Sequence, residues 1–273
     1  MGNIYHDKFV KLDHSMVTDP EASDFVLHVH DCYEILCYVS GNATYLVEGR
    51  EYPMYPGCLM IMRPAETHKL IVRGKGDYDR YVLHFYADTL SELGMDDSLL
   101  TAFTERSLGE KNQYLSSEFG AIDPLDFFRQ IETECRVLDP RQAMLSNFVA
   151  LLCSVNAAFL GKEGRESVMG DDDIGKKLIW YVNENLTQEL SLDSISEYIH
   201  MSPSQVNRVF RKLTGTSVYD YILSKRLIMA QEMISMGEGS ISASQKCGFK
   251  DYSSFYRLYK KRTGGAPCEA KKR

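Results

Sequence analysis

The apolar positions of this chain follow two regimes. From Asp24 to about Ala87 they alternate with polar ones in short runs, so that Phe25–His30, Glu34–Ser40, Thr44–Glu48, Glu51–Tyr55, Cys58–Met62, His68–Val72 and Arg80–Tyr86 read as strands. Between the runs stand Ser40-Gly41-Asn42, Glu48-Gly49-Arg50, Tyr55-Pro56-Gly57, Pro64-Ala65-Glu66 and Gly74-Lys75-Gly76, residue types that close tight turns. Short strands at this even spacing predict a β-barrel or double-sheet jelly roll. From about Thr89 to Leu160 the period becomes helical, and Ser98–Ser107 and Asp123–Arg136 read as helices appended to the barrel. Pro140–Leu160 is apolar on nearly every side and needs cover, from the barrel or from the same helix of a second subunit. Met1–Ser23 is expected as an N-terminal arm.

Residues 161–173 (GKEGRESVMGDDD) lose the periodicity and are rich in Gly and charge, which predicts a linker. Helical spacing resumes at Ile174 and runs to the end. The expected architecture is α+β in two domains, a barrel with helices over residues 1–160 and an all-α domain over 174–273.

Within the second domain a helix-turn-helix pattern occurs twice, at Leu192–Gly215 and Ser240–Gly264. In the first, Leu192, Ile195 and Ile199 anchor a short helix, and His200-Met201 turns into Ser202, a capping residue, and Pro203, which fits a first helical position. Val206, Val209, Phe210 and Leu213 then share one face of the next helix. Ser204, Gln205, Asn207, Arg208, Arg211 and Lys212 are left on the other. In the second, Asp251 is the expected cap, with Phe255, Leu258 and Tyr259 inward and Ser253, Ser254, Tyr256, Arg257 and Lys260 outward. Two such units joined by a helix can place two short helices in successive major grooves. Ser204, Asn207 and Arg208 are expected at base edges, because Arg matches both acceptors of guanine and Asn both edge groups of adenine. Arg257, near Ser253 and Ser254, is the counterpart in the second unit. Arg211, Lys212, Lys250, Lys260 and Lys261 are expected at phosphates.

Charge supports this division. Residues 174–273 carry 16 Lys/Arg against 9 Asp/Glu, residues 1–173 carry 15 against 29, and together they make the net −7 of the chain. A basic module behind an acidic one is expected where only one part meets phosphates, although an uneven scatter of solvated charge produces the same totals. The seven cysteines are scattered without a CxxC pair, which favours reduced thiols in a cytoplasm. Met1–Leu12 has no apolar signal-peptide core, and Ser146, Asn147, Ser154 and Asn156 interrupt the longest apolar run, so no membrane association is expected.

Residues 173–273 closely resemble the DNA-binding domain of the AraC-type (AraC/XylS) transcriptional regulators. The resemblance rests on LSLDSI, SPSQVNRVFRKLTG, YILSKRLIMAQEMI and the GFKDYSSFYRLYKK run, in the family's order. It implies seven helices and activation or repression at a promoter. Ala243-Ser244 stand where the family usually has a large aliphatic residue and Ala, and Ala270-Lys271 replace an aromatic-Arg pair, so weaker packing of the second unit is expected.

The front domain resembles the effector domains of the same regulators, in His30-Asp31-Cys32-Tyr33-Glu34 and in Pro56-Gly57, Pro64 and His68. It also resembles the two cupin motifs, with His28-x-His30-x-x-x-Glu34 followed by His68. The regulator resemblance implies a small effector, a carbohydrate or related metabolite, and a pocket drawn from His28, His30, Tyr33, Glu34, Tyr38 and His68, with Tyr45, Tyr81 and Tyr86 as further aromatic walls. The cupin resemblance implies a divalent metal on His28, His30, Glu34 and His68, and two residues at i and i+2 of a strand do share a face. The function expected is a ligand-controlled, non-enzymatic DNA-binding regulator acting as a homodimer, with the helices of Asp123–Leu160 as dimer contacts. A metal-dependent cupin enzyme or metal sensor fused to a DNA-binding domain is the alternative.

Overall fold

The computed structural model describes the chain except residues 1, 22–24, 26–27, 87, 121, 163–173, 215, 236 and 268–273. Two compact units emerge: Met1–Val26 with Cys32–Arg63 and Lys69–Met169, and Gly170–Arg273 with the short segments Leu27–Asp31 and Pro64–His68. The expected linker lies, from residue 163 on, outside the described residues.

The strands are β1 (Gly2–His6), β2 (Val10–Val17), β3 (Tyr33–Ser40), β4 (Ala43–Val47), β5 (Arg50–Pro53), β6 (Leu59–Met62), β7 (His68–Val72), β8 (Tyr78–Phe85) and β9 (Gln113–Tyr114). They form a six-stranded sheet in the order β1-β2-β8-β3-β6-β9 and a three-stranded sheet in the order β5-β4-β7. β3 is antiparallel to both neighbours, with Ile35 opposite Leu83 on β8 and Ile61 on β6. Because side chains alternate along a strand, β3 feeds two cores. Leu36 and Tyr38 join Tyr45, Val47, Met60, Met62, Leu70 and Tyr78 in one core that draws on both sheets. Ile35 and Cys37 face the other way, with Leu59, Ile61, Leu83 and Phe85, under a cover of helices. Burial on both faces explains why this strand reads as an almost unbroken apolar run.

The helical cover consists of α1 (Asp88–Glu92), α2 (Thr101–Thr104), α3 (Pro124–Val137) and α4 (Pro140–Lys162). The helix expected over Ser98–Ser107 is instead a 3-10 turn, Asp97–Leu100, followed by the single turn of α2. Asp123 caps α3 by accepting from Leu125 N–H at 2.8 Å, with Pro124 in the first turn. α4 alone is long and apolar enough to cross a bilayer among the described helices, yet its place is in the core. Met144, Phe148, Leu151, Leu152, Val155 and Phe159 are fully buried among residues of the large sheet and α3, so this helix finds cover inside its own unit.

Two expectations about the N-terminal part are corrected. Met1–Ser23 is not a free arm, since β1 and β2 pair with each other and β2 runs along β8 from Val10 opposite Phe85 to Val17 opposite Tyr78. The physical reason is burial: Val10 and Leu12 enter the core at successive inward positions. Phe25–His30 forms no strand among its described residues. It keeps an isolated bridge, His28 opposite His68.

The second unit holds α5 (Ile174–Glu184), α6 (Leu192–Ile199), α7 (Pro203–Thr214), α8 (Val218–Ser235), α9 (Ser240–Lys246) and α10 (Tyr252–Thr263). That makes six helices among the described residues, where the resemblance implied seven. α8 serves two cores. Val218, Tyr221 and Ile222 pack with Leu178, Ile179, Val182, Ile195, Val206 and Phe210, whereas Leu227, Ala230 and Ile234 pack with Ala243, Cys247, Phe249, Phe255 and Tyr259. Arg226, at the changeover on α8, donates from its guanidinium to the carbonyls of Leu186 (2.7 Å), Gly248 (2.6 Å) and Gln188 (2.7 Å).

Candidate DNA-reading helices and a candidate metal centre

The first helix-turn-helix is α6 and α7. Its turn depends on His200, whose φ of 57° lets the chain reverse after Ile199. Ser202 and Gln205 cap α7 reciprocally: Ser202 Oγ accepts from Gln205 N–H at 3.4 Å, and Gln205 Oε1 accepts from Ser202 N–H at 3.0 Å. With Val206 and Phe210 buried, Ser204, Arg208, Arg211 and Lys212 stand exposed on the opposite face, as expected. Asn207 is placed differently from them. It is half-buried, and its carboxamide oxygen accepts from Val218 N–H at 3.4 Å, so it also helps start α8.

The second helix-turn-helix is α9 and α10. Asp251 Oδ1 accepts from Ser254 N–H at 2.7 Å, and this backbone hydrogen bond holds the carboxyl below its ordinary pKa. Ser253, Ser254, Arg257, Lys260 and Lys261 are exposed on α10. Arg257 donates to Ser254 Oγ at 3.5 Å, and Lys250 pairs with Glu189 at 2.6 Å where both are solvated. An exposed pair of that kind contributes little and yields readily to a phosphate. Ala243 and Ser244 are both buried, with Ser244 Oγ donating to the Ile241 carbonyl at 2.8 Å.

In the front unit the expected aromatic pocket divides between the two cores. Tyr38 and Tyr45 enter the inter-sheet core together with Tyr78, which the sequence reading missed. Tyr33 and Tyr81 point instead into the helix-covered core, where Tyr33 stacks on Phe85 at 5.1 Å and Tyr81 donates to Glu132 at 2.7 Å. Strand parity is the reason, because odd positions of β3 face the helices. Tyr86 is exposed. Glu34, almost fully buried, accepts from Tyr45 Oη at 3.3 Å and pairs with His84 Nε2 at 2.8 Å. A separate cleft of about 450 Å³ is lined by Gly2, Asn3, Ile4, His14, Met16, Glu132, Cys135 and Arg136, none of which was expected to hold a ligand.

The described cysteines are all free thiols. Burial pushes Cys58 and Cys247 up to about 11, which leaves neither as a thiolate nucleophile at neutral pH.

His28, His30 and His68 do come together. His28 and His68 exchange backbone hydrogen bonds at 3.1 and 3.0 Å, and their rings lie 4.2 Å apart, with His30 at 4.9 Å from His68. With Glu34 they make a set whose possible ligand atoms all lie within 4.8 Å of one another. His68 Nδ1 is 2.8 Å from the Glu66 carbonyl, which only accepts, so Nδ1 carries a proton. Three imidazoles and a carboxylate suit a divalent transition metal.

Both parts of the chain match known families. Residues 18–136 match the AraC-like ligand binding domain family and residues 195–273 a helix-turn-helix domain family. The transcriptional activator RhaS of Mannheimia succiniciproducens is 20% identical over 277 residues, covering 96% of each chain. RhaS of Yersinia pestis bv. Antiqua (strain Angola) is 23% identical over 264 residues, covering 90% of this chain and 88% of the relative. Among solved structures, ToxT of Vibrio cholerae is 14% identical and covers 96% of this chain and 97% of its own, with a TM-score of 0.39.

A ligand-binding domain ahead of paired helix-turn-helix units defines an effector-controlled, DNA-binding transcriptional regulator. The chain belongs to the AraC-type regulators.

Proposed function

We propose that α7 and α10 enter successive major-groove segments of a promoter, with a carbohydrate or related metabolite as the effector bound in the front barrel. The observation that carries the first half is the outer face of α7. There Ser204, Arg208, Arg211 and Lys212 are solvent-facing on a helix pinned from behind by Val206 and Phe210. Arg208 and Arg257 read base edges, while Arg211, Lys212, Lys250, Lys260 and Lys261 meet phosphates, and Asn207 offers its carboxamide N–H to a base. The effector reading is supported by Tyr45, whose Oη donates to the Glu34 carboxylate at 3.3 Å in a core shared with Tyr38 and Tyr78, since aromatic rings and a carboxylate suit the C–H faces and hydroxyls of a sugar. The protein acts in the cytoplasm, without catalysis of its own, as a homodimer joined through the outer side of α4, where Cys153 and Leu160 are exposed.

The experiment is a binding titration of the full chain on its promoter at several salt concentrations. Replacing Lys212 by Ala should weaken binding to every sequence alike and reduce the salt slope by about one. Unchanged affinity and slope would remove α7 from the interface. A panel of sugars scored by thermal shift tests the effector class, and a monomer in sedimentation at micromolar concentration overturns the dimer.

A further inference from the structure

We propose that the effector is a sugar acid, a uronate or an aldonate, and that Arg80 and Tyr78 of the front unit hold its carboxylate. This rests on the effector entering the front barrel, as above, and names the charge that the molecule carries.

Strand parity places the cation inside. Along β8 the side chains of Tyr78 and Val82 enter the inter-sheet core, and Arg80, between them, shares their face. Across the ladder Arg80 stands directly opposite Tyr38, another member of that core. The guanidinium carbon of Arg80 lies 4.6 Å from the centroid of the Tyr78 ring and 5.8 Å from that of Phe25, and the two rings meet edge-on at 5.6 Å. Aromatic rings pack on the face of a guanidinium and leave the N–H fork at its edge for a planar, two-oxygen anion.

The donors on this face lack acceptors. Arg80 Nη1, Tyr78 Oη and Tyr38 Oη are all buried without a hydrogen-bond partner among the described residues. Burial pushes the Tyr38 phenol up to about 12 and raises that of Tyr78 as well, so both keep a proton to donate. Glu34, on the same face of β3, accepts from Tyr45 Oη and pairs with His84 Nε2. Arg80 and Glu34 pull the Tyr45 and Tyr78 phenols in opposite directions, so cation and carboxylate border the same group of rings. A buried cation and two buried hydroxyls without acceptors are unfavourable, and a ligand that brings acceptor oxygens with a negative charge relieves them. A neutral sugar offers hydroxyls to Glu34 and Tyr45 but no charge to Arg80. A sugar acid offers both, and its carboxylate matches the guanidinium fork.

The test is isothermal titration calorimetry of the full-length chain with D-glucuronate, D-galacturonate, D-gluconate and D-galactonate, each against its neutral counterpart, D-glucose or D-galactose. At least one acid should bind about ten- to a hundredfold tighter than its counterpart, the range of one hydrogen-bonded charge. Arg80→Met should remove that difference. It should also leave the melting temperature of the ligand-free chain no lower than the parent's, because a buried cation without a partner does not hold the barrel together. Tyr78→Phe should weaken binding of the acid by about three- to tenfold and leave the weaker binding of the neutral sugar unchanged. A neutral sugar bound as tightly as its acid, or an acid bound equally by the parent and by folded Arg80→Met, overturns the carboxylate assignment and leaves the carbohydrate reading in place. A clear drop in the melting temperature of ligand-free Arg80→Met makes Arg80 a structural residue and overturns its role. No binding of any of these sugars overturns the carbohydrate reading and this proposal together.

Discussion

The two helix-turn-helix units use one plan with different materials. The first turns on His200 at φ 57°, is capped by Ser202 and Gln205, and fills its core with Leu178, Ile179, Val182, Ile195, Val206, Phe210 and Tyr221. The second turns on Gly248 at φ 83°, is capped by Asp251, and includes Ala230, Ala243 and Cys247 in its core. At this second reversal the segment that follows α5 comes close. A Cβ on Gly248 would lie 3.0 Å from the carbonyl oxygens of Leu186 and Thr187 and from the Arg226 guanidinium. The first reversal carries a non-glycine residue, His200, at its positive φ. The unequal halves of this domain are therefore two solutions to one packing problem.

The largest test of that comparison removes an aromatic from each core. Phe210→Ala and Phe255→Ala should each cost about 3–5 kcal/mol locally, since both side chains are fully buried. Hydrogen exchange should show protection lost in α6 and α7 for the first and in α9 and α10 for the second. Loss across both units from either change would mean that the two cores act as one.

The turns come next. Gly248→Ala should destabilise the domain by about 1–3 kcal/mol through strain and crowding, whereas His200→Gly should stay within about 1 kcal/mol of the parent. Urea unfolding of the two variants separates them, and equal effects would erase the contrast in backbone closeness.

On DNA, Arg208→Ala and Arg257→Ala should each relax preference at one base pair by about 1–3 kcal/mol, at positions belonging to different groove segments. Binding to a library of single-base operator variants reads this, and loss at the same base pair from both would break the two-groove arrangement.

The smallest effect is acid sensitivity. The Asp251 carboxyl is held below its ordinary value of 3.8 by the Ser254 N–H, so its capping contribution is fully present above 3.8 and is lost as pH falls through the lower folded value. The Ser202–Gln205 cap does not titrate there. Acid should fray α10 before α7, and Asp251→Asn should remove that pH dependence, which amide exchange at Ser254 and Gln205 would show.

Much of the molecule was legible beforehand where period and punctuation agree. The strands from β3 to β8, the capped starts of α7 and α10, and the outward Arg208 and Arg257 follow from alternation, Gly or Pro turns and capping residues. What escaped was set by distant partners. Val10 and Leu12 alternate too briefly among polar neighbours to announce β2, which exists because β8 offers it an edge. Tyr33 and Tyr38 look equivalent in a string, but odd and even positions of one strand serve opposite cores. Asn207 reads as wholly outward, whereas its oxygen also accepts from the start of α8.

By itself, the sequence determined the local elements, the split between an acidic front and a basic reader, and the side chains left outside the recognition helices, since all three depend on neighbours a few residues away. Only the tertiary structure decided that α4 is covered by its own unit and that Gly248 must lack a side chain. Those outcomes depend on which segments lie against one another across long stretches of chain, and no local pattern encodes that.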